Sequence, residues 1–248
     1  MRARHIVAAG LFALLTVTGC GAAGGGASGA TTQATTPRAV ATPAGNGVAA
    51  LGPDEITAKA RTAFLAAPSV HVKGSVTSGT SVIGLDLRVR QSGGGDGVMV
   101  MDGGKLRLLV IGKVAYLSGD RTFWEQAGIP AATAKTLVGK YVRTTSADKD
   151  FSQLLAFSDV RQLAENFLPK DGLAVEGKAT LAGTRVVTLK DATDARYSVA
   201  LDGPAYPVRL VGKDGADAIS LDFLDYGKDV PLTAPPAAQV LDASRLHG

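Results

Sequence analysis

Few side chains among the 248 residues could do chemistry: one thiol, Cys20, and three imidazoles, His5, His71 and His247. His5 lies at the extreme N-terminus and His247 is penultimate, which leaves His71 with no thiol or second imidazole to share a metal ion. The alternation around His71 puts it on the polar face of a strand, where a solvated or capped side chain is expected. Gly172-Leu173-Ala174-Val175-Glu176-Gly177-Lys178-Ala179 has the glycine and lysine spacing of a P-loop. Yet Ala179 stands where a metal-binding hydroxyl should follow the lysine, and Leu173, Val175 and Gly177 alternate as in a strand. Neither a Gly-x-Ser-x-Gly elbow nor a His-Glu-x-x-His run occurs. Asp148, Asp150, Asp222 and Asp225 designate no acid–base pair by their spacing, and Asp222, opposite Phe223 on its strand, is expected to be solvated. Trp124 is expected to anchor packing at a sheet edge, with a place at a cavity mouth as the alternative. The expectation is a protein that binds rather than catalyses, with no catalytic residue, no metal and no cofactor.

Cys20 gains meaning from what precedes it. Arg2, Arg4 and His5 form a basic start, and Ile6 to Val17 an uncharged apolar stretch too short to span a bilayer. Val17-Thr18-Gly19-Cys20 then resembles the bacterial lipobox. That resemblance implies cleavage before Cys20, a diacylglyceryl thioether on its sulfur, and a mature lipoprotein at the outer face of the cytoplasmic membrane. An ordinary secretory signal followed by a free cysteine is the other reading, and no second cysteine exists to pair with it. Loss of residues 1–19 would remove two arginines and lower the net charge from +4 to +2. The remaining basic residues are dispersed and aromatics make up only 5% of the chain, which argues against nucleic acid. Residues 20–50, almost wholly Gly, Ala, Ser, Thr and Pro after the cysteine, read as a disordered tether.

The elements that would position a site begin at residue 51, and residues 51–248 read as one domain. Pro53, Asp54 and Glu55 suit a helix start, Pro68 a stop, and Ile56, Ala60, Ala63 and Phe64 share one face. Period-two segments follow: Val70 to Val76, Ile83 to Arg90, Val98 to Met101, Leu106 to Ile111 and Val114 to Leu117, separated by glycine turns. Helices are expected over Pro130–Lys140 and Phe151–Phe167, the second broken near Ser158-Asp159. Strands resume at Leu173–Leu181, Thr184–Leu189, Arg196–Leu201, Pro207–Val211 and Ile219–Leu224. About ten strands with short turns and inserted helices predict an antiparallel α+β fold.

The order of these pieces resembles the LolA-like LprG/LppX family of actinobacterial cell-envelope lipoproteins. The resemblance rests on Cys20 and its tether, and on the first helix leading into Ser69-Val70-His71-Val72-Lys73-Gly74. It continues with Lys113-Val114-Ala115-Tyr116-Leu117 before Trp124, Tyr206-Pro207-Val208-Arg209-Leu210, and Asp222-Phe223-Leu224-Asp225-Tyr226-Gly227 before Val230 and Ala234-Pro235-Pro236. It implies a half-barrel of strands wrapped around a few helices, with an apolar cavity for the acyl chains of a lipid, glycolipid or lipoglycan. Ile83, Leu85, Leu87, Val89, Leu106, Leu108, Val110, Leu221 and Phe223 would line that cavity or, alternatively, pack as ordinary core. In the second case the domain would be an envelope interaction or sensor module that reads a protein partner.

Overall fold

Valine- and leucine-rich alternation between glycine turns folds as two meanders, joined edge to edge by a non-local strand pair into one open sheet. The computed structural model describes residues 45–145 and 152–243. Cys20, the signal, the tether to residue 44, Asp148, Asp150 and His247 lie outside the described residues. Helix α1 (Pro53–Ala66) leads into β1 (Ser69–Ser78), β2 (Ser81–Arg90), β3 (Gly95–Met101), β4 (Gly104–Ile111) and β5 (Val114–Gly119). Helices α2 (Arg121–Gln126) and α3 (Ala131–Leu137) precede β6 (Tyr141–Thr145), and α4 (Ser152–Leu155) and α5 (Val160–Phe167) follow it. A second meander comprises β7 (Ala174–Leu181), β8 (Thr184–Lys190), β9 (Arg196–Ala200), β10 (Pro207–Asp214) and β11 (Asp217–Leu224), and the chain ends in β12 (Val240–Asp242).

All twelve strands form one sheet in the order β12-β6-β5-β4-β3-β2-β1-β11-β10-β9-β8-β7. The count exceeds the expected ten because β6 and β12 were not foreseen. Their pairing is also parallel, whereas the other neighbours are antiparallel. The two meanders join where β1 pairs with β11, from His71 opposite Leu224 to Thr77 opposite Ala218.

Glycines let the sheet curl. A Cβ on Gly97 would lie 2.3 Å from the Asp86 carbonyl oxygen, and one on Gly74 would lie 1.9 Å from that of Ser220. Both sites are therefore closed to any side chain while the neighbouring strand stays where it is. The helices fill the concave side. Phe64 of α1 meets Phe223 edge-on with ring centroids 5.7 Å apart. Helix α2 sits on Gly104 and Gly119, where a Cβ would strike Phe123. Asp120 fixes that helix, accepting hydrogen bonds from the Phe123 N–H at 2.8 Å and the Lys105 N–H at 3.0 Å. Trp124 is fully buried and donates its indole N–H to the Gly119 carbonyl at 3.1 Å, so it is a packing anchor. The expected break at Ser158-Asp159 is present: Asp159 caps α5 by accepting from the N–H groups of Arg161 and Gln162.

One boundary differs from the sequence expectation. Asn46 and Val48 belong to the folded domain rather than to the tether. The Asn46 N–H donates to the Leu201 carbonyl and Val48 is fully buried. At the other end, the segment between β11 and β12 forms a strap. The Gly227 N–H donates to the Ser69 carbonyl, the Ser69 hydroxyl donates to the Lys228 carbonyl, and Val230 is buried. From there the strap runs on to β12 at the far edge of the sheet.

Candidate functional site

Strand register sorts the concave face into rows that run across the sheet. One row passes from Leu108 through Gly97, Leu87 and Val72 to Phe223, and the next from Leu106 through Met99, Leu85 and Gly74 to Leu221, Leu210 and Tyr197. Val110, Gly95, Val89 and Val70 make a third. Eight of the nine residues expected to line a cavity fall in these rows, each at most 6% exposed and all joined in one core with the helices: Leu85, Leu87, Val89, Leu106, Leu108, Val110, Leu221 and Phe223. Where Leu87, Val89 and Leu108 face Phe157, the gap between sheet and helices has no room for a water molecule.

The ninth, Ile83, belongs to a different row. Met101, Ile83, Val76, Ile219 and Gly212 lie side by side on β3, β2, β1, β11 and β10. These side chains are only partly buried, and they border the core without joining it. Here the concave face opens in a mainly apolar groove of about 320 Å³. Val76, Ile219, Gly212 and Ala195 line it, with Thr193 and Asp217 at its rim. Gly212 keeps the floor low, because a Cβ there would lie 2.5 Å from that of Ala195. Sequence reasoning picked out Ile83 but missed the groove, which forms at the seam between the two meanders.

A larger cleft of about 500 Å³ lies at the opposite end of β11. It is bordered by Leu181, Val208, Leu224 and the stacked rings of Tyr206 and Tyr226, whose centroids are 3.9 Å apart. Its charged residues are already paired, Arg209 with Asp222 at 2.5 Å, Asp202 with the neighbouring Arg185 at 2.5 Å, and Asp225 with Lys228 at 2.7 Å. Asp222, expected to be solvated, is thus held by a guanidinium on the neighbouring strand.

His71 is likewise engaged, capped rather than solvated. It faces the convex side as predicted, but it is 5% exposed and held between two carboxylates. Its Nε2 lies 2.7 Å from Asp86 and its Nδ1 3.3 Å from Asp225, the first residue of the strap. Burial pushes the Asp86 carboxyl up, but hydrogen bonds from His71 and Lys73 outweigh it and hold the group below the ordinary aspartate range. Hydrogen bonds from Lys228 and His71 hold Asp225 low as well. Among the described residues no group of three His, Cys, Asp or Glu side chains could hold a metal ion. No helix among them is long and apolar enough to cross a membrane.

A single curled sheet with an aliphatic concave face, short helices inside it and a groove at one rim defines an α+β half-barrel of the LolA-like type. Comparison with solved structures gives the same fold. The chain is similar to LprF from Mycobacterium bovis, with a TM-score of 0.50 and 15% identity over 73% of this chain and 96% of that one. It is also similar to the lipoprotein LppX from Mycobacterium tuberculosis, with a TM-score of 0.45 and 14% identity over 73% of this chain and 97% of that one. No protein-family model and no curated protein sequence matches the chain. The sequence resemblance to the LprG/LppX lipoproteins therefore holds at the level of the fold.

Proposed function

We propose that this chain is a cell-envelope lipoprotein, anchored through acylated Cys20 at the outer face of the cytoplasmic membrane. Its half-barrel binds the acyl portion of a lipid or glycolipid to hold or transfer it. The observation that carries the reading is the row Met101, Ile83, Val76, Ile219 and Gly212, whose last three members line an open apolar groove and which lies beside the buried aliphatic rows. At about 320 Å³ the groove is at the small end of ligand pockets, so a long acyl chain requires the inner helices to part. The driving force is hydrophobic: at about 25 cal/mol per Å², several hundred Å² of buried chain yields on the order of 10 kcal/mol before the costs of association. Residues 20–44 would act as the tether. The predicted lining residues Leu85, Leu87, Leu221 and Phe223 would meet the guest once the helices move.

Native mass spectrometry after gentle purification, paired with uptake of a fluorescent lipid, tests the reading. A retained acyl amphiphile and saturable uptake are expected, and the absence of both would overturn it. The filled rows beneath the groove favour a second reading, an envelope module with a self-packed core that reads a protein partner. A single stoichiometric partner captured by crosslinking, without any lipid, would select that one.

A further inference from the structure

One polar group on the concave face has no partner. Tyr197 on β9 is 1% exposed, and its hydroxyl makes no hydrogen bond. It stands between Leu210 of β10 and Leu189 of β8, within the apolar core. The charged group nearest in kind is already engaged: Arg61 of α1 donates to the Ala164 carbonyl at 3.0 Å and pairs with Glu165. Tyr226, a half-buried tyrosine bordering the neighbouring cleft, donates its hydroxyl to the Pro207 carbonyl at 2.9 Å. A buried hydroxyl without a partner loses its hydration for no return, so phenylalanine would suit this position better if packing were its only task.

The position of Tyr197 relative to the groove gives the hydroxyl a use. Ala195, two residues earlier on the same strand, lines the groove beside Gly212 and Ile219. Tyr197 and Leu210 occupy the next row inward, one two-residue step or about 7 Å along the strands. An acyl chain entering tail first would leave its carboxyl or ester carbonyl at about this depth. We infer that the Tyr197 hydroxyl donates a hydrogen bond to the carbonyl or carboxylate oxygen at the head of a bound acyl chain, so that the site selects acyl groups over plain hydrocarbon. This rests on the acyl-binding reading and names the group that fixes the head of the guest.

The test is equilibrium binding of lauric acid, methyl laurate and dodecane to the full chain and to its Tyr197→Phe variant, with urea unfolding of both measured in parallel. The wild type should bind lauric acid and methyl laurate about tenfold more tightly than dodecane. The variant should bind all three as the wild type binds dodecane, while its unfolding midpoint stays the same or rises. Rising stability with falling affinity for the two carbonyl compounds alone is a pattern that lost packing cannot produce. A variant that keeps the wild-type preference would overturn the hydroxyl's role and leave acyl binding intact. Failure of the wild type to bind any of the three probes would remove the acyl-binding reading, and this inference with it.

Discussion

The two ends of β1 differ in almost every respect. Near Ser69 the convex face is a lattice of charges: Arg88 and Lys73 meet Asp86 at 3.5 and 3.2 Å, Arg107 meets Asp96 at 2.9 Å, and His71 bridges Asp86 and Asp225. The strap is fastened over this end, and the aliphatic rows behind it are filled by helices. Near Ser78 the convex row Val100, Gly84, Ser75, Ser220 and Val211 crosses five strands without a charge. On that side Val82 and Val100 are 45% and 40% exposed, and the concave side opens as the groove. Charge pairing is thus concentrated at one end of β1, beside the cleft of about 500 Å³, and the apolar groove lies at the other. A ligand site drawn from the less tightly packed end can open without unfolding the rest.

Paired truncations give the largest contrast. Trp124→Ala should cost about 3–5 kcal/mol and Leu87→Ala about 2–5 kcal/mol, since both vacate filled space. Ile83→Ala, in the row that the groove joins, should cost about 1 kcal/mol because its side chain is only partly buried. Urea unfolding of the three variants measures this, and equal costs at 83 and 87 would erase the distinction between the ends.

Filling the groove should separate binding from folding. Ile219→Trp should lower uptake of a fluorescent lipid at least about tenfold while changing stability by less than about 1 kcal/mol. Unchanged uptake would move the entrance elsewhere.

Acid should act on the latched end alone. Asp86 and Asp225 are held below the ordinary aspartate value of 3.8 in the folded chain. Their contribution is therefore complete above about 3.8 and is lost as pH falls through the lower folded values. Hydrogen exchange should show the Gly227 N–H deprotected first in that window, and Asp225→Asn should flatten the dependence. The smallest effect belongs to Val82→Thr and Val100→Thr, expected within about 0.5 kcal/mol of the parent in the same unfolding assay because both side chains already face solvent.

Local alternation made much of this fold legible. Val70, Val72, Gly74 and Val76 share the concave face with Ile83, Leu85, Leu87 and Val89, as their spacing predicts. The helix from Pro53 announced both of its ends. What escaped depends on partners distant in sequence. β12 has three residues, too few for a period, and its role comes from pairing with β6 across the sheet. Asn46 is held by Leu201, and His71 is enclosed by Asp225, 154 residues away. The groove lies between β1, β11 and β10, so its lining of Val76, Ile219 and Gly212 shares no sequence motif. Ile83 could be read from its strand, but its place outside the buried rows could not.

The most direct test of the account is methyl NMR of the isoleucine, leucine and valine side chains, recorded with a nitroxide-labelled stearic acid. The account predicts broadening that begins at Ile219, Val76 and Ile83 and extends to Leu210 and Leu221, while Val230 and Leu109 at the latched end stay sharp. Broadening centred on Val208 and Leu224 in the other cleft, or none at any methyl, would contradict it.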